Sequence, residues 1–169
     1  MSTLSSLPTI TSDEINAATD PQYFIILLTH KYMAIISEDP TGQIQQQMTL
    51  EQSILIAFVT MDDQISGGGF IQLIENKYGP YIFDTPLSVI LTDWGGTKIA
   101  SILDRARVIY NDKKEMLERE KTLEEFARLY QEYPDFEELE KEYDAVIDSE
   151  RAIIKNYIVQ HLSVFAEVR

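Results

Sequence analysis

An all-α fold of about six to eight helices, ending in one long C-terminal helix, is what this sequence predicts. Apolar residues recur at steps of three and four, and no alternating stretch of strand length occurs. Helix-opening signals stand in front of these periodic segments: Asp20-Pro21, and the capping boxes Thr49 to Gln52 and Thr122 to Glu125. Glycine and proline lie almost wholly at the boundaries of these segments, where glycine ends helices and Pro21, Pro86 and Pro134 open them.

Residues 1–10 are rich in Ser and Thr, contain Pro8, and read as a flexible N-terminus. Asp13 and Glu14 then suit the first turn of a short helix. Asp20 as N-cap and Pro21 at the first position open a helix to about Ser37, apolar enough to be largely buried. Glu38 to Gln47 reads as a loop. Thr49 opens a helix carrying Ile54, Leu55, Ala57, Phe58 and Met61, which Ser66-Gly67-Gly68-Gly69 ends or interrupts. Phe70 to Asn76 forms a short helix closed by Tyr78-Gly79-Pro80, and Thr85-Pro86 opens another to about Thr92. After Gly95-Gly96, Thr97 caps a helix bearing Ile99, Ile102, Leu103 and Ala106. Thr122 starts a helix to about Tyr133. Pro134 starts the last one, with apolar spacing that reaches Glu167. Residues 11–169 are expected to form a single helical domain.

With 28 acids against 14 bases the chain carries a net charge of −14. Such a surface repels nucleic acid and anionic lipid and attracts basic partners. There is no cysteine, which excludes disulfides, thiolate metal sites and a cysteine nucleophile. No stretch reaches the ~18 unbroken apolar residues of a membrane helix. Residues 1–14 have neither a basic nor an apolar region of a secretory signal, so a cytoplasmic protein is the expectation.

One window is extreme. Residues 132–150 hold nine acids against Lys141 alone. On a helical wheel Phe136, Leu139, Tyr143, Val146, Ile153, Ile154, Tyr157 and His161 share one side. Glu137, Glu140, Asp144 and Asp148 form a row beside or opposite it, and Asp135, Glu138 and Glu142 flank the other edge. At a rise of ~1.5 Å per residue the row spaces its charges ~4.5–6 Å apart along the axis. A DNA strand spaces phosphates at ~3.4 Å, so a basic DNA-binding surface could meet such a row in place of DNA. A merely solvated acidic face is the competing reading. Glu150 projects into the apolar stripe, which calls for a base beside it or a kink near Ser149.

Signals for chemistry are weak. The glycines at 67–69 lack the Lys-Ser/Thr of a phosphate loop and the spacing of a dinucleotide site. His30 and His161 are isolated from other ligand-type residues, and nothing completes a cation shell around Asp62-Asp63. No catalytic residue, metal or cofactor is expected.

Gly68-Gly69-Phe70-Ile71-Gln72-Leu73-Ile74-Glu75-Asn76 resembles the Gly-Gly-Phe-x-Gln motif, with its closing Asn, of the bacterial DNA-mimic protein family, long catalogued as a domain of unknown function. The family has Asn before the two glycines where this chain has Gly67. The likeness extends to the capping-box helix from Thr49 to Ile65, to the Trp-Gly-Gly segment opening the helix to Tyr110, and to Phe136, Leu139, Tyr143, Tyr157 and Ile158. It covers residues 49–166. The resemblance implies an acidic all-helical protein that occupies the DNA-binding surface of a protein such as a transcription factor, and a possible homodimer. Within the motif, Gly68 and Gly69 are expected to allow a tight turn and Phe70 to plug the core. Gln72 and Asn76 are expected to bond loop backbone.

The function expected is therefore a non-catalytic acidic binding protein. Its partner would be a basic, nucleic-acid-binding protein, not nucleic acid or a membrane. Its partner surface would be Glu137, Glu140, Asp144 and Asp148, flanked by Asp135, Glu138 and Glu142. Two other readings stand beside it. One is an interaction or toxin-antagonist-like module, or an oligomeric structural protein, anchored by aromatics such as Trp94 or the Tyr residues. The other is an enzyme with a carboxylate site.

Overall fold

A computed structural model describes residues 5–169. Among them are ten helices and one two-stranded parallel sheet. The order is β1 (Thr9–Ile10), α1 (Ser12–Ala17), α2 (Pro21–Ser37), α3 (Gln43–Gln47), α4 (Leu50–Glu75) and α5 (Gly79–Phe83). Then come α6 (Leu87–Asp93), α7 (Thr97–Glu118), α8 (Leu123–Glu132), α9 (Pro134–Gln160), α10 (Leu162–Phe165) and β2 (Glu167–Val168). The helix count exceeds six to eight because four of the ten span only four to six residues.

The caps read from sequence are made. Asp20 accepts from the Tyr23 amide, and the boxes at Thr49 and Thr122 are closed in both directions. A third box, Thr11 with Glu14, opens α1. Inside the stretch expected as a loop, Asp39 accepts from the Ile44 and Thr41 amides and so starts α3. α2 is less enclosed than expected: it buries the stripe Phe24, Ile25, Leu28, Thr29 and Tyr32, but exposes Tyr23 and Met33.

α4 runs through the core and breaks at Gly69, whose φ of 82° and ψ of −173° only glycine adopts without strain. Phe70 restarts the helix and is fully buried, stacked on Phe136 at 5.6 Å and Phe83 at 6.3 Å. By length and composition α4 could cross a membrane, yet 56% of its most apolar window is buried inside the protein. A burial-driven core helix passes the same test.

α9 lies across α7, α2 and α4, so its inner side closes the core. It stops at Gln160 rather than continuing to Glu167. His161 turns the chain, Phe165 is buried against Trp94, and β2 pairs with β1. Residues 1–4 of the expected flexible N-terminus lie outside the described residues. Its end is held: Ile10 is fully buried and Thr9–Ile10 pairs with Glu167–Val168.

Candidate partner-binding surface

α9 starts at Pro134 because Pro suits a first helical position, and its apolar spacing fixes which side faces inward. Phe136, Leu139, Tyr143, Ile147, Ile154 and Ile158 are buried. Three polar groups on this inner side bind the rest of the fold, and each solves a local problem.

The first is Glu140, expected in the outward row. Its carboxylate turns in and accepts from the Phe70 amide at 2.8 Å, capping the restarted arm of α4. A Cβ on Gly69 would lie 2.1 Å from that carboxylate, so glycine is needed there for space as well as for φ. Burial, with the nearby charges of Asp144 and Glu137, raises the Glu140 pKa above the carboxylate range, and the Phe70 amide opposes the rise. The tight break is completed by Tyr130, whose hydroxyl donates to the Gly68 carbonyl at 2.8 Å.

Gln72 and Asn76 do not bond loop backbone through their side chains. Gln72 lies over Gly68, where a Cβ would meet it at 1.9 Å, and the Asn76 amide donates to Gln64 across the break at 2.6 Å. The reason is that the loop they were expected to serve does not exist: the chain restarts as helix at once.

The second group is Glu150, 1% exposed. It meets neither a base nor a kink. Its Oε2 accepts from the Lys98 and Ile99 amides at 3.1 Å each, capping α7. Gly96 precedes α7 without a side-chain cap, so Thr97 is not the cap read from sequence. Helix N-terminal amides need an acceptor, and here α9 supplies it.

The third is Arg151. Its Nε and Nη2 donate to the two oxygens of Asp62 at 2.9 Å, and the Tyr143 hydroxyl donates to Asp62 Oδ1 at 2.7 Å. Burial and the Asp62 charge push the Tyr143 pKa well up. Asp62 is thus bonded to α9 through both of its oxygens. Among the described residues no group of three His, Asp or Glu is placed to hold a metal. His161 is exposed and stacked on Tyr157 at 4.1 Å, not on the apolar side. Of the aromatic anchors considered above, Trp94 is 3% exposed and stacks on Tyr157 at 5.2 Å, whereas Tyr23, Tyr81 and Tyr130 are exposed.

What remains outward is the partner surface read from sequence, less Glu140. Glu137, Glu138, Asp144, Asp148, Asp135 and Glu142 are all exposed. Lys141 lies between Glu137 and Glu138, 3.1 and 3.4 Å from them. Glu142 holds Arg105 of α7 in a two-pronged pair, which lowers its pKa. Asp148 touches Arg151 at 3.0 Å but is 96% exposed. Asp135 and Asp144 make no ion pair among the described residues. Asp63 of α4 and Asp20, the N-cap of α2, stand exposed beside the same side of α9, around Arg151.

This chain belongs to the DMP19-like protein family, whose model it matches over residues 46–161, close to the span read from the motif. A curated relative is the DNA mimic protein DMP19 of Neisseria meningitidis serogroup B. It is 30% identical over 125 residues, covering 70% of this chain and 72% of the relative.

Proposed function

We propose that this protein is a DNA mimic: a non-catalytic binder whose outward acids on α9 occupy the basic, DNA-binding surface of another protein, such as a transcription factor. The observation that carries the reading is the rigid mounting of those acids. Three inward anchors hold α9 by Glu140, Glu150 and Arg151, while Glu137, Asp144 and Asp148 face solvent. Along the axis these three stand ~10.5 and ~6 Å apart, against ~10.2 and ~6.8 Å for three and two phosphate steps of one strand. Family membership and the relative's name support the same reading. Electrostatic steering would make association fast and salt-sensitive.

The test is capture on the immobilised chain from lysate of the source organism, followed by elution with duplex DNA or a salt gradient. Mimicry predicts a DNA-binding protein that duplex DNA displaces at moderate salt, and that E137Q/D144N/D148N fails to retain. A partner indifferent to salt and to DNA would refute it. A homodimer, which would lengthen the acidic array, belongs to the same proposal; a monomeric mass by light scattering would remove that part.

A further inference from the structure

Beside the α9 row, the exposed sides of α2 and α4 enclose a cleft of about 340 Å3. Ile26 and Val59 give it apolar walls. Gln22 and His30 of α2, and Thr60 and Asp63 of α4, give it a polar rim. Arg151 lines it, and a second depression lined by Asp20 and Asp148 adjoins it, sharing Gln22 and Arg151.

The arginine does not make this an anion site. Arg151 spends Nε and Nη2 on Asp62 and Nη1 on Asp148. Four carboxylates, Asp20, Asp62, Asp63 and Asp148, surround that single guanidinium. The excess is negative, and Asp63 makes no ion pair among the described residues. A long cationic side chain is the matching occupant. Its methylenes would lie on Ile26 and Val59, as Lys and Arg stems do on apolar surface.

Between the two cations the cleft favours arginine. Asp63, the Thr60 hydroxyl and the Gln22 carbonyl are separate acceptors around one mouth. A guanidinium offers five donors in a flat fork and a face that lies on apolar walls, whereas an ammonium is a compact, strongly hydrated point charge. The geometry points to a socket in which this protein seats an arginine side chain of its basic partner. The inference rests on the reading of the protein as a binder of a basic partner. It adds that recognition has one arginine-specific anchor beside the general charge row.

The test uses hexaarginine and hexalysine peptides, with affinities by calorimetry and sites by amide NMR shifts on the full chain. The intact protein should bind hexaarginine about tenfold tighter than hexalysine, a buried-anchor effect. Shifts for hexaarginine should centre on Ile26, Val59, Thr60 and Asp63. Ile26→Arg, which fills the cleft with the chain's own guanidinium, and Asp63→Asn should each erase the preference and leave hexalysine binding within about twofold. Circular dichroism of both variants checks that they are folded.

Equal affinity for the two peptides, shifts away from the cleft, or a preference that survives both variants would overturn the socket. The broader reading is tested separately by E137Q/D144N, which touches only the row. That variant should weaken both peptides and keep their ratio. If it changes neither while the arginine preference holds, the row reading fails and the socket stands.

Discussion

The inner and outer sides of α9 carry the same kind of residue to opposite ends. Glu140 and Glu150 point in and end on backbone amides of α4 and α7. Glu137 and Asp144, within one turn of Glu140, point out and lie exposed to solvent. An inward carboxylate satisfies helix-terminal donors that have no other partner, so its removal is felt by the fold. An outward one is screened by water and is felt by whatever docks on it. Acid content alone therefore does not mark a partner surface; the side of the helix does.

Breaking the inner side should cost stability, in a definite order. Arg151→Ala would leave Asp62 buried without its base and should destabilise by ~3–5 kcal/mol, read from urea unfolding. Glu150→Ala strands two amides at the start of α7 and should lose ~1–3 kcal/mol, with Glu150→Gln recovering part because its carbonyl still accepts. Glu140→Ala should lose ~1 kcal/mol, as a lost helix cap does.

The conservative Glu140→Gln sharpens the comparison through pH. Burial raises the Glu140 pKa in the folded state, so the native protein holds this proton to higher pH than the unfolded chain. The Glu140 contribution to stability then falls as pH rises from the ordinary carboxylate range through the raised value. Glu140→Gln lacks that titration. Its stability relative to the parent should be greater at neutral pH than at acid pH, measured by unfolding at both. The smallest stability effect belongs to the outer side: E137Q/D144N should leave the urea midpoint unchanged.

The sequence made the helices legible where local chemistry decides them. Asp20-Pro21, the two capping boxes and Pro134 mark starts that the structure keeps. It also marked the glycine break, through Gly68-Gly69-Phe70. Ends and partners set by distant contacts were not legible. α9 ends early because Phe165 is buried and β2 pairs with β1, residues far apart in the chain. Glu140 looked like a member of the row because a helical wheel gives angles, not what waits beneath them. The signal that could have placed it was already present. A glycine pair restarting a helix leaves an uncapped amide, and an acid on the inner edge of α9 is a natural cap. Glu150 carried the same signal in front of the uncapped Gly96-Thr97 start of α7.

The most direct test pairs two readings on one variant. Partner binding by the parent chain and by E137Q/D144N is measured across a salt series, alongside thermal unfolding of both. If the outer acids are the partner surface, the variant binds more weakly, with a shallower salt dependence, and unfolds at the same temperature. Equal affinity at every salt concentration would contradict that claim.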